Sequence, residues 1–201
     1  MISHNGARRA LKAASEPLRR TIPWRQGEAR LKNHKRFEDL FEEEIEALYD
    51  AEMRIVDALP RMMAAASTKE LAIAFASHLE ETRRHVTRLE DIFQIMGEEP
   101  RGRTSDAISG FLSDVSALID GMRESATLDL ALVTAARMIE HWEMVAYESA
   151  AAIAGMLGQL SASDLLEKTL EEEGAADDTL AAIAASLLGG DIGAQDLDVA
   201  S

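Results

Sequence analysis

Residues 78–92, HLEETRRHVTRLEDI, align without a gap on residues 169–183, TLEEEGAADDTLAAI. A shorter pair, AEMRIV at 51–56 and WEMVAY at 142–147, repeats the relation one helix earlier in each half. The segments around both pairs carry apolar residues at three- and four-residue steps, the period of an amphipathic helix. Two related helical hairpins predict a bundle with a pseudo-twofold axis, in which equivalent positions of the halves meet at the centre.

Outward from these repeats, Phe37, Phe41, Leu48, Ile55, Leu59 and Met62 mark a first helix from Phe37 to near Ser67. A second runs from about Lys69 to Met96 on the stripe Phe75, Leu79, Val86, Leu89, Phe93 and Met96, with Gly97 as its stop. Pro100 and Gly102 break the pattern in EEPRGRT. Ile108, Phe111, Leu112, Val115, Leu118 and Ile119 then indicate a shorter helix ending near Gly121. A third long helix spans about Thr127 to Leu157, closed by Gly158. The fourth follows a cap at Ser161 or Ser163 and reaches Leu188 before Gly189 and Gly190. The expected fold is all-α: a four-helix bundle over residues 37–188, with a long crossover that carries a short fifth helix. Residues 189–201 read as a flexible tail.

Composition narrows the chemistry. A chain of 201 residues, 47% hydrophobic, with only four prolines, is long enough for one domain with a true core and favours helix. The absence of cysteine excludes disulfides, thiolate metal sites and cysteine nucleophiles. The five histidines are His4, His34, His78, His85 and His141, so a metal here would be held mostly by oxygen. No apolar run approaches the ~20 residues needed to cross a bilayer, and the N-terminus lacks a secretory apolar segment, which predicts a cytoplasmic protein without membrane contact.

The net charge of −15 is unevenly divided. Met1 to Arg36 hold ten Lys and Arg against Glu16 and Glu28, about +8, leaving about −23 for 37–201. The acidic body argues against nucleic-acid binding. Residues 1–36 show no sustained apolar periodicity and contain Pro17 and Pro23, as expected of a mobile arm. Its basic, acid-poor character suits a plain extension, a phosphate-binding tail that touches nucleic acid, or an organelle transit peptide.

Acids interrupt the apolar stripes. At ~100° of rotation per residue, Glu52 falls within about 40° of the stripe of Leu48, Ile55 and Leu59, and Glu143 equally close to that of Ile139, Ala146 and Ala150. On the last helix Glu173 and Asp177 continue the line Leu166, Leu170, Leu180 and Ala184. On the second helix Glu81 lies about 90° off the stripe centre, with His78 and His85 nearer it, the three forming one edge. Gapless alignment places Glu81 opposite Glu172 and Glu173 opposite Thr82. Glu81 is nonetheless preferred, because Glu80 points to solvent and the interval Glu52 to Glu81, 29 residues, matches the 30 from Glu143 to Glu173.

A carboxylate in a low-dielectric core costs several kcal/mol unless compensated, so a matched set predicts cations among them. With Asp177 the acids number five, which two divalent ions nearly balance. Oxygen donors with a few imidazoles suit iron(II) or manganese(II) better than magnesium or zinc. The duller reading pairs Glu52 with Arg54 and Glu143 with Arg137. Glu42 to Glu44 and Glu171–Glu172 read as solvated faces, His141 as surface, His78 as a core or ligand-orienting group, and Tyr49 and Tyr147 as packing residues able to hydrogen-bond a ligand.

The segments LYDAEMRIVDALPRM, AFASHLEETRRHVTRLEDIF, GEEPRG, RMIEHWEMVAYESA and LLEKTLEEEGAADDTL resemble the YciE/YciF group of ferritin-like proteins over about Phe37 to Leu188. The resemblance implies a ferritin-like bundle, a homodimer, a di-iron centre and association with bacterial stress responses. The usual di-iron pattern takes one Glu from each of two helices and Glu-x-x-His from the other two. This chain departs from it, offering Glu81 with His85 and Glu173 with Asp177. Carried over residue by residue, the metal ligands are Glu52, Glu81, His85, Glu143, Glu173 and Asp177, with His78, Glu140 and Tyr147 as supporting or alternative groups. Glu140 and Tyr147 stand seven apart, a spacing similar to that of rubrerythrin-like helices. The expected cofactor is two Fe ions, or Mn, acting on O2 or peroxide as a ferroxidase or peroxide-consuming oxidoreductase. The alternatives are a manganese catalase-like activity and a metal-free structural or partner-binding bundle.

Overall fold

The computed structural model describes residues 23–189, with side chains from Arg36 onward, and the chain divides into two compact units, 1–36 and 37–201. Five helices occupy the described residues: α1 Pro23–Ala65, α2 Lys69–Met96, α3 Asp106–Gly121, α4 Ala126–Leu157 and α5 Leu160–Gly189. The four-helix bundle with a crossover helix expected from the sequence is the fold observed. The expected tail beyond 189 and the arm before Pro23 lie outside the described residues.

One boundary differs by more than a turn: α1 starts at Pro23 rather than Phe37. Proline is well suited to the first helical position, where its missing N–H has no partner to lose. The stretch that follows, EARLKNHKR, is rich in good helix formers, so local propensity continues the helix where no apolar stripe marks it. The stops at Gly97 and Gly158 are as expected. Both adopt left-handed backbone, φ 76° and 77°, and the amides of Glu98 and Gln159 reach back to the carbonyls of Phe93 and Ala154 at 2.9 Å.

The second unit is held by its core and by its connections. α4 packs along α5, α5 against α2, and α3 against α4. The crossover is fastened to α1: the Arg103 amide donates to the Glu46 carbonyl, Arg101 pairs with Glu42 and Glu46, and Arg103 with Glu43. Glu42 and Glu43, expected to be a plain solvated face, therefore anchor a loop. Gly102 permits this approach, since a Cβ there would stand 3.1 Å from Asp50 Cβ. Further along, Arg54 donates to Ser109 and Arg61 to Ser116.

The apolar interior forms two clusters. One gathers Ile55, Leu59, Phe75, Leu132, Ile139 and Leu180 with α3; the other gathers Phe41, Leu48, Phe93, Tyr147, Ala150 and Leu166. Along every long helix the residues separating these clusters are polar and buried.

Buried Asp129, near the start of α4, accepts the amides of Ser67 and Thr68 at 2.7 and 2.9 Å, closing the α1–α2 turn. Bonds to a charged acceptor are each worth roughly 1.5–3 kcal/mol. Asp129→Ala is expected to lower stability by about 3 kcal/mol, read as a lower urea midpoint with an unchanged slope.

Candidate metal centre

The polar layer consists of Glu52 from α1, His78 and His85 from α2, Glu140 and Glu143 from α4, and Glu173 from α5, all buried. His78, Glu140, Glu143 and Glu173 each offer one ligand-type atom within 4.8 Å of the others, and Glu52, His85 and Glu173 do the same. Glu173 is common to both groups. The layer thus provides two adjacent pockets of donors joined by one carboxylate.

The two imidazoles are oriented alike. His85 Nδ1 lies 2.8 Å from Glu173 Oε1 and 3.3 Å from Glu52 Oε1, out of line for a hydrogen bond to either. Its other nitrogen, Nε2, is 3.0 Å from Glu172. His78 puts Nε2 3.2 Å from Glu140 Oε1 and turns Nδ1 toward Glu81 at 3.8 Å. Each ring therefore presents one nitrogen to the buried acids and the other toward a carboxylate nearer the surface. For His85 that second contact is a hydrogen bond of the kind that fixes tautomer and ring angle in metal-binding histidines, whereas His78 Nδ1 stays unbonded. Glu81 and Glu172, the two outer acids, are the positions that the hairpin repeat aligns. Arg88 holds Glu172 through two 2.8 Å bonds and also donates to Thr169. Tyr147 Oη donates to Glu52 Oε1 at 2.5 Å.

Of the residues singled out in the sequence, Glu52, His85, Glu143 and Glu173 come together, joined by His78 and Glu140. Glu81 and Asp177 do not. Glu81 sits at the outer edge of α2, about where its 90° offset from the stripe puts it, between His78 and Arg84. Asp177 faces α4, where Arg137 binds it at 2.7 and 3.0 Å and exposed His141 approaches at 3.3 Å. The arginines that could have neutralised Glu52 and Glu143 are thus engaged elsewhere, Arg54 by Ser109 and Asp50. Glu172 is not the solvated residue expected. It is drawn in by Arg88, a buried cation on an apolar stripe whose need for an anion was the signal available in the sequence.

Charge makes the layer unstable on its own. Burial, with neighbouring carboxylates adding to it, raises the proton affinity of Glu52, Glu143 and Glu173, and that of the Tyr147 hydroxyl. Burial alone would lower His85, yet Glu173 and Glu52 push it up to about 10; Glu140 raises His78 likewise. Among the described residues, ten buried side-chain oxygens and nitrogens lack a hydrogen-bond partner, and seven belong to this layer, including both oxygens of Glu143 and of Glu173. Orphaned atoms concentrated in one place and converging on common space are what a cation would satisfy. Hard carboxylate oxygens with two imidazoles form a donor set suited to Fe2+ or Mn2+, so these buried groups fit a metal ion. With Glu81 and Asp177 outside the layer and Glu140 inside it, its carboxylates are Glu52, Glu140, Glu143 and Glu173, four charges when ionised, which two divalent ions would balance.

Arg88 holds the Glu172 carboxyl down at about 2, against an ordinary 4.5. A depressed acid stabilises the fold fully above about pH 4.5 and loses that contribution as pH falls toward 2. Glu172→Gln is therefore expected to cost metal-free protein about 1 kcal/mol at pH 7, since solvent reaches part of the carboxylate. Chemical denaturation between pH 7 and pH 2.5 should show the difference from wild type shrinking below pH 4.5.

Residues 36–191 match the family described as Domain of unknown function (DUF892). The chain is 33% identical to Protein YciF of Escherichia coli (strain K12) over 146 residues, 72% of this chain and 88% of YciF. Its fold is similar to the crystal structure of the E. coli stress protein YciF, with a TM-score of 0.74 and 30% identity over 77% of this chain and 98% of that one. It is also similar to YcfI of Rhodopseudomonas palustris, provisionally described as a structural protein, with a TM-score of 0.70 and 33% identity over 72% and 92% of the two chains. Matched over most of its length in sequence and in fold, this chain belongs to the DUF892 family, the ferritin-like group that contains YciF.

Proposed function

We propose that the polar layer holds a pair of Fe2+ ions and that the protein is a stress-associated oxidoreductase consuming O2 or peroxide, with ferroxidase activity as the simplest form. The observation that carries this reading is one buried layer in which unpartnered atoms of His85, Glu140, Glu143 and Glu173 are concentrated and whose residues form two overlapping groups with ligand-type atoms within 4.8 Å. Glu52, His85 and Glu173 would hold one ion, and His78, Glu140, Glu143 and Glu173 the other. Glu81 and Asp177, expected as ligands, become an outer acid and a structural ion pair in this assignment.

A bound pair of iron ions would supply the electrons for reducing the oxidant. The residues supply the rest. Glu172 holds the His85 imidazole in register, Tyr147 fixes one oxygen of Glu52 by hydrogen-bonding to it, and the two apolar clusters flank the layer. Four anionic oxygen donors stabilise the higher charge of oxidised iron, which favours net oxidation over reversible binding. Manganese fits the same donors and would favour peroxide disproportionation. By the family resemblance the protein would be a cytoplasmic homodimer, with any contact to nucleic acid confined to the basic residues before Phe37.

Anaerobic loading followed by elemental analysis should find two iron atoms per chain, and exposure to air should oxidise Fe2+ faster than buffer alone. Loading at 100 times the dissociation constant should add about 2.7 kcal/mol of stability per site. Glu143→Gln replaces a buried unpartnered acid by a neutral amide, so metal-free Glu143→Gln should unfold no earlier than wild type. Loaded protein should lose the metal-induced gain in Tm and at least one iron atom. A chain that takes up no metal, with the same Tm before and after chelation, would point instead to the structural or partner-binding bundle.

A further inference from the structure

A cavity of about 170 Å3 runs from the surface between α2 and α5 to the edge of the polar layer. Ile55, Leu59, Phe75, Leu112, Ile139 and Leu180 give it an apolar chamber, and the partly exposed carboxylates of Glu81 and Glu172 line it as well. Its mouth is kept open by short side chains, among them Ser77, Ala175 and Thr179, all exposed, where longer residues would have closed the contact between the two helices. Its inner end is polar. His78 and Glu140, both buried, line it, and His78 Nδ1 and Glu140 Oε2 have no hydrogen-bond partner.

Close-packed interiors rarely leave a space of this size, and its volume suffices for one ring, since a closed apolar cavity of about 150 Å3 accepts benzene. Neither O2 nor peroxide needs so large an apolar wall, and peroxide gains nothing from one. Glu172, held by Arg88, also lines the cavity, so the ion pair borders it along the α2–α5 contact. The shape and chemistry describe an occupant with a compact hydrocarbon body and one small polar head able to donate to a carboxylate oxygen and accept from an imidazole N–H.

We propose that this cavity is the binding site for a small organic substrate, a phenol-sized molecule whose hydroxyl sits at His78 and Glu140 while its ring fills the apolar chamber. The site gives the metal-centre reading its organic substrate class and rests on that reading for its chemistry, but binding itself does not require the metal.

The full chain is titrated with 4-fluorophenol and with fluorobenzene, observed by 19F NMR, once after chelation and once after anaerobic iron loading. Saturable binding of 4-fluorophenol is expected at a dissociation constant of about 1 mM or tighter, with fluorobenzene weaker. Ala176→Leu and Thr179→Leu both fill the entrance and should weaken binding on the order of tenfold. Met138→Gln, on an exposed position away from the cavity, should leave it unchanged. If Ala176→Leu does not fold, Thr179→Leu at an exposed position decides. No saturable binding, or equal affinity in folded entrance variants, overturns the proposal; equal affinity for fluorobenzene overturns the polar contact at His78 and Glu140. Iron uptake without 4-fluorophenol binding removes the substrate site and leaves the metal centre standing. Fluorophenol binding without iron uptake does the reverse.

Discussion

Four carboxylates share a slice of the bundle from which water is largely excluded, and every other feature of the interior is arranged around their mutual repulsion. An isolated ionised group in such a place costs several kcal/mol, and neighbours of like sign add to it. The layer divides the apolar core into two clusters, and each of the four long helices gives up at least one core position to it. Stability alone does not explain that sacrifice, since apolar residues of similar volume would pack there with no charge to compensate. Two divalent cations would turn the same layer from the most strained part of the fold into its strongest cross-link.

The supporting groups are built to keep the donors apart rather than to satisfy them. Tyr147 takes one oxygen of Glu52, Glu172 takes Nε2 of His85, and Arg88 in turn immobilises Glu172. Both oxygens of Glu143 and of Glu173 are left without a partner. An interior whose purpose was packing would let those acids rotate onto a nearby guanidinium. Arg137, on the same helix as Glu143, is committed to Asp177. The polar layer is also less symmetric than the repeat that generates it. Thr82, the repeat partner of Glu173, bonds its own helix at the His78 carbonyl, and α2 contributes two imidazoles where α5 contributes an acid. Both α2 and α5 thus depart from the usual Glu-x-x-His pattern, α2 with two imidazoles and α5 with an acid and no histidine, and the two donor pockets differ in composition. The apolar cavity opens beside only one of them, the one containing His78 and Glu140.

The helices, their Gly97 and Gly158 stops and the inward direction of Glu52, Glu143 and Glu173 were legible in the chain, because helical periodicity assigns each residue an angle on its own helix. The hairpin repeat was enough to pair those helices. Residues at the borders of the stripes were not legible in the same way. Glu81 and His78 are one turn apart, and only the closing of the bundle decides that the histidine meets Glu140 of α4 while the acid remains outside. Asp177 continues the inward line of α5 but ends beside Arg137 of α4, a partner forty residues away whose position no local pattern reports. Glu172 reads as a surface acid until Arg88 is seen to cross from α2. Sequence determines the angle of a side chain about its own axis; which neighbour waits at that angle depends on the crossing and depth of another helix, and that is settled only when the bundle closes.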